Sequence, residues 1–387
     1  MKIALDVRSL EEGDQFRGIG YYMLNLVPEI LKQDKTNEYH LLVYSKNNPL
    51  YKIGKKYPRA KFYLIKKPAV PPRIFWWFDQ PGLVKFLSQA QPDIFHSLDY
   101  NPPFFKPKKT KIIITVHDMI PYVFPRYYQK PFDKKSELWI KFFLARRADW
   151  LVTDSEYSRQ DAQKFLKFNP KKITAIPLAV DSSFKSISEA QKQKIKDEFS
   201  RGKDYLFYMG DMYGNDPRKK VDWLIEAFAR LNKTKFVDFN LILAGKIGGV
   251  GNDYARYAEL ADDLGIKRRV IFSGFVDYQI LSKLVASARG FVYPSIYEGF
   301  GLPPLQALAS GVPVLSFSTT SIPEVAGDSA ILVPPDKENL YKGLIKLVSK
   351  KPKNFSQKAQ AQVKKFSWKK TARQTLEVYK SLSNNYI

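Results

Sequence analysis

The chain of 387 residues contains no cysteine. Disulfide bonds, thiolate metal sites and cysteine nucleophiles are therefore excluded, and a reducing compartment is compatible with the composition. The sequence also lacks a run of about 18 uncharged apolar residues, which argues against a transmembrane helix. Within its first ten residues, MKIALDVRSL, charged residues interrupt a short apolar run. We therefore expect no signal peptide and a cytoplasmic location.

Two motif classes are also missing. The first predicted strand, residues 3–7, is not followed by G-x-G-x-x-G, and no acid occupies the position expected for a ribose contact. This argues against a nucleotide-dependent oxidoreductase. No DNA- or RNA-binding motif accompanies the strong positive charge, so we expect no nucleic-acid partner.

The net charge of +25 is concentrated in one part of the chain, since residues 51–150 contain 20 Lys and Arg against 7 Asp and Glu. Aromatic residues are interleaved with these charges, namely Phe75, Trp76, Trp77, Phe78, Phe104 and Phe105. Such a zone fits either a solvated basic surface over an aromatic core or a surface that meets anionic lipid headgroups. The second interpretation would make the protein peripheral at the inner face of the cell membrane.

Short apolar runs rich in β-branched residues alternate with helical patterns along the chain. Strands separated by helices predict parallel sheets, and runs without strict polar alternation predict sheets covered on both faces. The series stops in a polar, charged stretch at 181–201 and restarts at 205. We therefore predict an α/β protein with two doubly wound, Rossmann-like domains, at 1–180 and 181–365. A helix within 366–387 is expected to return to the N-terminal domain.

The most informative segment is 293–313, YPSIYEGFGLPPLQALASGVP. A predicted strand ends near Ser295, and a loop with Gly299 and Gly301 leads to Pro303 in the first turn of a predicted helix. Proline is favoured at that position, and N–H groups reached through glycines suit a phosphate. The neighbouring Glu298 is costly there unless it accepts hydrogen bonds from ligand hydroxyls or loop N–H groups. The pattern alone fits a phosphate site for a polyhydroxylated ligand or a plain helix start.

This segment resembles the donor-binding motif of glycosyltransferase family 4, E-G-F-G-L-P-x-L-E-A-x-A-x-G-x-P-V. The resemblance continues in R-G-I-G (17–20), T-V-H-D (115–118), T-D-S-E-Y-S (153–158), I-P-L-A-V-D (176–181), D-P-R-K (216–219), S-I-P-E-V-A-G (321–327) and F-S-W (366–368). The family comprises retaining enzymes of the GT-B fold, in which two Rossmann-like domains face each other across a cleft. Within the family, the sequence most resembles bacterial mannosyltransferase-like members.

The resemblance implies a set of site residues. Glu298 is expected near the hydroxyls of the donor sugar, and His117 beside the transferred sugar. Arg218 and Lys219 would neutralise the leaving phosphate in place of a divalent metal. These four are the predicted catalytic residues. The predicted donor-binding residues are Gly18, Gly20, Gly210, Val276, Gly299, Phe300, Gly301, Leu302 and Gln306.

Three further polar residues follow predicted strands in the N-terminal domain. Asp118 would position His117 or bind the acceptor. For His96 and Asp99 a structural role is favoured, and lining of the acceptor side is the alternative.

Two positions depart from the family pattern. Gln306 stands where the family has its second Glu, which is expected to bind the nucleotide ribose. A neutral acceptor contributes about 1 kcal/mol against about 1.5–3 for a charged one, so donor affinity is expected to be roughly tenfold weaker. The loop at 210–216 is longer than usual and carries two acids, which affects the placement of Arg218.

The resemblance therefore implies a retaining, metal-independent glycosyltransferase that needs no cofactor. It would move a hexose of the mannose or glucose type from GDP-mannose or a UDP-sugar to a hydroxyl of a glycan or lipid-linked glycan. Because of Gln306, a weakly active or inactive nucleotide-sugar-binding homologue is the first alternative. A UDP-sugar epimerase of the same architecture is the second, and E-G-F-G (298–301) with F-S-W (366–368) argues against it.

Overall fold

The structure is a computed structural model that describes residues 1–11, 18–70, 75–125, 133–212, 216–234, 238–245, 253–349 and 354–383. The chain forms two compact units. Unit 1 comprises Met1–Leu178 and Ser367–Ile387, and unit 2 comprises Ala179–Phe366. The boundaries expected from the sequence, after residues 180 and 365, lie within two residues of these divisions.

Unit 1 is built on a parallel sheet in the order β3-β2-β1-β4-β5-β6-β7. Its strands are β1 (Lys2–Asp6), β2 (Glu38–Val43), β3 (Ala60–Leu64), β4 (Ile94–Ser97), β5 (Lys111–Val116), β6 (Trp150–Thr153) and β7 (Ile173–Ala175). The helices of unit 1 that precede β7 are α1 (Gly18–Gln33), α2 (Pro49–Gly54), α3 (Phe75–Ala90), α4 (Ile120–Val123), α5 (Asp133–Ala145) and α6 (Glu156–Leu166). Consecutive residues of β1, such as Ile3, Ala4 and Leu5, are fully buried because helices cover both faces.

Unit 2 repeats this plan with the parallel order β10-β9-β8-β11-β12-β13. Its strands are β8 (Tyr205–Met209), β9 (Asn240–Ala244), β10 (Val270–Gly274), β11 (Gly290–Tyr293), β12 (Val314–Phe317) and β13 (Ala330–Val333). Its helices are α7 (Glu189–Ser200), α8 (Val221–Asn232), α9 (Tyr254–Asp263), α10 (Tyr278–Ser287), α11 (Leu302–Ala309), α12 (Ile322–Ala326), α13 (Lys337–Ser349) and α14 (Phe355–Val363).

The final helix, α15 (Trp368–Ser383), belongs to unit 1 and packs on α1. Its Trp368 ring lies 5.8 Å from the ring of Tyr21, and Thr371 Oγ1 donates a 2.7 Å hydrogen bond to the carbonyl of Pro177. The predicted fold class, two doubly wound domains with a returning C-terminal helix, is confirmed.

Each sheet reverses its strand order once, between β1 and β4 in unit 1 and between β8 and β11 in unit 2. Open α/β sheets bind ligands beside such a reversal, at the carboxyl ends of their strands. The residues that follow β1, β4, β8 and β11 are therefore expected to line ligand sites.

Two details differ from the sequence prediction. The sequence predicts a helix from Tyr21 with Gly18 and Gly20 before it, whereas α1 already begins at Gly18, so both glycines lie in its first turn. Helix α7 occupies part of the stretch taken as the break between domains, and it begins with a capping box between Ser188 and Gln191. Few of its residues are buried, so the stretch shows little apolar periodicity.

Candidate functional site

A buried polar cluster lies beside the strand reversal of unit 2. Glu298 Oε1 accepts hydrogen bonds from Lys219 Nζ at 2.7 Å and from the hydroxyl of Tyr293 at 2.9 Å. Lys219 Nζ also donates to that hydroxyl at 3.1 Å. Lys219 follows β8 and Tyr293 ends β11, so two neighbouring strands place these groups at one edge of the sheet. We call Lys219, Tyr293 and Glu298 the Glu298 cluster.

The charges of the cluster are fixed by mutual pairing. Burial raises the pKa of the Glu298 carboxyl, but Lys219 and Arg218 outweigh this effect and hold the pKa below its usual value. Burial lowers the pKa of Lys219, and the Glu298 carboxylate more than reverses this. Burial and Glu298 both raise the pKa of Tyr293. At neutral pH the cluster therefore contains a carboxylate, an ammonium group and a neutral phenol that donates.

Arg218 is held by a carboxylate of its own. Its Nε donates to Asp216 Oδ1 at 3.0 Å, its NH2 donates to Asp216 Oδ2, and its NH1 donates to the carbonyl of Tyr297 at 3.2 Å. The guanidinium is therefore oriented toward the loop that carries Glu298. Each of the two basic residues predicted for the leaving phosphate is thus already neutralised by one acid, Lys219 by Glu298 and Arg218 by Asp216.

The loop between β11 and α11 is anchored at Glu298. Its backbone N–H donates to Thr320 Oγ1 at 3.1 Å, and its carbonyl accepts from Ser321 Oγ at 2.9 Å. Gly301 has a φ of +95°, and a Cβ there would approach Ile322 Cδ1 to 2.6 Å. Glycine suits this position because L residues with a side chain rarely adopt this backbone angle, and a Cβ would also require the end of the Ile322 side chain to move.

Helix α11 begins with Leu302 followed by Pro303 and Pro304. Two of the N–H groups that normally open a helix are therefore missing, since proline has none. An anion at this helix start would depend on the amides of Phe300, Gly301 and Leu302. The sequence prediction likewise assigns donor contacts to the backbone of this loop, and those contacts stay a prediction. The Phe300 side chain instead packs edge-on against Phe366, with 5.8 Å between ring centroids.

The other predicted donor residues of unit 2 lie at strand ends or in α11. Gly210 follows β8, and a Cβ there would approach the Tyr208 hydroxyl to 2.6 Å. Val276 is half-buried after β10. Gln306 is buried within α11, 5% exposed. Their contacts with a nucleotide stay predictions.

His117 in unit 1 is an ion-pair partner at the end of β5. Its Nδ1 donates to Asp154 Oδ2 at 2.7 Å and its Nε2 donates to the Leu98 carbonyl at 3.0 Å. Burial lowers the pKa of His117, but Asp154, with a smaller effect from Asp99, raises it to about 9. His117 is therefore an imidazolium at neutral pH, and both of its N–H groups are used within unit 1.

This arrangement corrects the expectation that Asp118 positions His117, because the carboxylate that holds its Nδ1 is Asp154. Asp118 Oδ1 instead accepts from the Ile120 N–H at 2.9 Å, at the start of α4.

His96 has the structural role that the sequence favours. It is fully buried, and its nitrogens contact the Tyr379 hydroxyl at 2.7 Å and Thr115 Oγ1 at 2.9 Å. Burial, with a further effect from the charge of His117, lowers the pKa of His96 to about 3. Neither nitrogen is available to an acceptor, and the residue instead ties α15 to the sheet.

Asp99 lies in a different setting, since it lines a cavity of about 280 Å³ after the carboxyl ends of β1, β2 and β4. The cavity is walled by Tyr44, Phe75 and Trp76 and has Arg8 between two carboxylates. The sequence prediction named Asp99 but did not anticipate the cavity.

Tyr293, Asp154 and Asp216 are the polar partners that the sequence prediction missed. All three lie within motifs that it quoted. Tyr293 and Asp154 lie at or just beyond strand ends, and Asp216 lies in the loop that follows β8. Because neighbouring parallel strands end at one edge of a sheet, the pairs 117–154 and 219–293 were recoverable once strand order was known.

No group of three or more His, Asp or Glu side chains suited to a metal ion occurs in the part of the chain that the structure describes. Within the same residues, no helix is both long and apolar enough to cross a membrane.

Two doubly wound units with polar clusters at their strand reversals define a protein of the GT-B class. Comparison with known families agrees. The family model described as Glycosyl transferases group 1 matches residues 189–385, and that described as Glycosyltransferase Family 4 matches residues 16–184. The chain belongs to the group 1 and family 4 glycosyltransferases.

Among curated relatives, O-antigen chain mannosyltransferase B of Escherichia coli is 30% identical over 289 residues, covering 73% of this chain and 74% of that protein. The serotype-specific mannosyltransferase WbdA of the same species is 28% identical over 70% of this chain, and the match spans only 34% of its length.

Solved structures show the same fold. Sucrose-phosphate synthase from Thermosynechococcus elongatus has a TM-score of 0.77 at 18% identity and full coverage of both chains. HepE from Anabaena, solved in complex with UDP and glucose, has a TM-score of 0.75 at 16% identity and covers 98% of this chain and 100% of its own.

The pair of His117 and Asp154 predicts a pH dependence of stability. The folded-state pKa of about 9 exceeds the ordinary value of 6.5, so the contribution is complete below pH 6.5 and is lost as the pH rises through 9. Over that window, wild type is expected to lose up to roughly 3 kcal/mol more unfolding free energy than His117→Gln. Urea denaturation at pH 6, 7.5 and 9 measures this, and Asp154→Asn should flatten the profile in the same way. Parallel profiles for wild type and both variants would contradict the ion pair.

Proposed function

We propose that this glycosyltransferase moves a hexose from a nucleotide-diphosphate sugar bound by unit 2 to a hydroxyl of a glycan, with retention at the anomeric carbon and without a metal ion or cofactor. The observation that carries the proposal is the Glu298 cluster beside the glycine loop before α11. Mannose is the first candidate sugar, because the curated relatives reported above are named mannosyltransferases.

The cluster suggests how the chain's own residues act. As the bond between the anomeric carbon and the phosphate oxygen breaks, negative charge grows on the diphosphate. Lys219, Arg218 and the loop amides stabilise that charge, a task that a divalent metal ion performs in other transferases. Glu298 accepts hydrogen bonds from sugar hydroxyls and fixes the position of Lys219 through their 2.7 Å contact.

On the acceptor side, the new bond forms from the acceptor oxygen to the same face of the anomeric carbon. The acceptor proton passes to the departing phosphate oxygen, so no protein nucleophile is required. His117 supplies a fixed positive charge in unit 1 that is not used as a base, because both of its nitrogens already donate.

The experiment has two stages. A thermal-shift screen of GDP, UDP, GDP-mannose and UDP-glucose identifies the donor, since a ligand at 100 times its Kd adds about 2.7 kcal/mol to stability. The product made from that donor in excess EDTA is then analysed by proton NMR. An α-linked product from an α-donor supports the proposal. An inverted product, or transfer that stops in EDTA, overturns retention or metal independence respectively.

Gln306 favours the second candidate, a nucleotide-sugar-binding homologue with weak or no turnover. The variant Gln306→Glu should tighten nucleotide diphosphate binding about tenfold, because a carboxylate accepts stronger hydrogen bonds from ribose hydroxyls. Isothermal titration of wild type and variant measures the change. An unchanged Kd would show that Gln306 does not contact the ribose. Donor binding without any transfer or hydrolysis by either protein would favour the inactive homologue.

The surface of unit 1 suits an acceptor at a membrane. Its exposed large apolar side chains include Trp77 and Phe78 on α3, Phe105, and Trp139 and Phe143 on α5. These elements lie together, since Trp77 contacts Phe104 and Lys141 lies over the ring of Trp76. Exposed Lys85, Lys108, Arg146 and Arg147 belong to the same segments. Aromatic side chains among cations suit anionic lipid headgroups, so we place the protein at the inner face of the cell membrane, acting on a lipid-linked glycan.

Vesicle binding tests this placement. Wild type is expected to co-sediment with vesicles containing 30 mol% phosphatidylglycerol in 50 mM salt and to dissociate as salt rises, because its attraction is largely electrostatic. The double variant Phe78→Ser, Phe143→Ser should bind at least several-fold more weakly. Tyr254→Ser, which removes an exposed aromatic of unit 2, is the matched control. Equal binding by all three proteins, or none by wild type, contradicts the placement.

A further inference from the structure

The cavity after β1, β2 and β4 combines aromatic walls with a charged floor, and it lies wholly within unit 1. Its volume, about 280 Å³, is at the small end of the range for small-molecule sites. We propose that this cavity binds one uncharged sugar residue of the acceptor. The inference rests on the proposed function for the identity of the acceptor, and on the cavity alone for the chemistry of the ligand.

The floor is a fixed network of buried charges. Arg8 NH1 donates to both carboxylate oxygens of Asp79, at 2.8 and 2.7 Å. Its Nε and NH2 donate to the two oxygens of Asp6, at 2.8 and 2.7 Å. The Tyr44 hydroxyl donates to Asp79 at 2.9 Å. With both carboxylates clamped by one guanidinium, the floor is rigid before any ligand arrives, which lowers the entropy lost on binding.

This floor carries two negative charges and one positive charge, so it favours ligands that donate hydrogen bonds. Asp99 adds a half-buried carboxylate to the lining. A sugar hydroxyl can donate to such oxygens, whereas a phosphate or a carboxylate would be repelled by them.

The cations in the lining are already engaged. Lys67 Nζ donates to the Glu11 carbonyl at 2.9 Å and lies 5.5 Å from the ring centroid of Tyr44. Lys141 Nζ lies 5.2 Å from the ring centroid of Trp76. Held in cation–π contacts, they balance the charge of the lining without forming an anion clamp. An uncharged polyol is the ligand class that this balance favours.

The aromatic walls of the cavity can pack against the apolar faces of a sugar ring. Phe75 packs edge-on to Tyr44, with 5.8 Å between centroids, and Trp76 stands beside them. Aromatic faces bury C–H groups with little loss of side-chain entropy. The size of the cavity limits the bound portion to about one ring, so the rest of a glycan must extend out of it.

The test uses methyl α-mannopyranoside and methyl α-glucopyranoside as uncharged probes and methyl α-glucuronide as a charged one. Saturation-transfer NMR with wild-type protein should show binding of at least one neutral glycoside and at least tenfold weaker binding of the glucuronide. Asp99→Ala and Tyr44→Phe should each weaken neutral glycoside binding at least fivefold. Tyr254→Ser, which alters an exposed side chain of unit 2, is the matched control and should leave that binding unchanged.

Each outcome decides a separate question. Absence of neutral glycoside binding, equal binding of the glucuronide, or unchanged binding in both cavity variants overturns the inference. Thermal melts of each variant accompany the titrations, and Tyr44→Phe retains the ring if Asp99→Ala proves unstable. The protein could bind glycosides in a manner that depends on Asp99 and yet fail to bind or turn over any nucleotide-sugar. That result would support the cavity as a sugar site and refute the proposed function. Donor turnover without glycoside binding would support the proposed function and refute the cavity as a sugar site.

Discussion

Replacing Lys219 by methionine is expected to lower the rate of sugar transfer about 10²–10³-fold, because the leaving diphosphate loses a cation held ready in a buried site. The chain keeps the other parts of the proposed donor site, so nucleotide affinity should fall less than the rate. Steady-state kinetics with the donor found by thermal shift measures kcat and KM separately. A variant that retains more than a third of the wild-type kcat would show that Lys219 does not stabilise the transition state.

Loss of folding must be separated from loss of catalysis in this variant. Lys219→Met leaves Glu298, which is only 14% exposed, without the larger of the two positive-charge effects that hold its pKa down. The double variant Lys219→Met, Glu298→Gln removes the isolated charge, so its melting temperature should recover toward wild type while its activity stays low. If activity recovered together with stability, the cluster would serve folding alone.

The largest effect on stability is expected at Arg8 in unit 1. The variant Arg8→Met leaves Asp6 and Asp79 buried near each other without their shared cation, which should cost about 3–5 kcal/mol of unfolding free energy at pH 7. The loss should shrink as the pH falls, because burial raises the pKa of Asp79 and its protonation removes a buried charge. Urea denaturation at pH 5 and 7 measures both effects.

The matched comparison is the triple variant Asp6→Asn, Arg8→Met, Asp79→Asn. It retains the shape of the network without charge, and it should be more stable than Arg8→Met alone. A loss below about 1 kcal/mol in Arg8→Met, or equal stability of the two variants, would show that the network does not act as a buried ion triad.

Much of the fold could be predicted because both sheets are parallel and buried on both faces. Strands of this kind leave contiguous apolar runs. The runs at 111–116, 150–153, 270–274 and 330–333, each of which predicts a strand, coincide with β5, β6, β10 and β13 at both ends. Helix α7 escaped notice because it lies on the surface with few buried residues, so its sequence lacks the apolar stripe.

The candidate site was predictable only where one segment carries it. Gly301 and Glu298 belong to one loop, and the glycine spacing points to them directly. Asp154 lies 37 residues from His117 and could not be chosen over Asp118, which is adjacent in sequence, until the order of β5 and β6 was known. The cavity of unit 1 depends on how α3 approaches β1, which no local pattern encodes.

The membership of α15 in unit 1 has a consequence for synthesis. Unit 2 is one continuous stretch, residues 179–366, and every residue of it is synthesised before α15. The buried contact between His96 and Tyr379 cannot form until then, although β4 is among the first strands synthesised. The sheet of unit 1 therefore keeps His96 uncovered until α15 emerges, which is after the whole of unit 2 has been added to the chain.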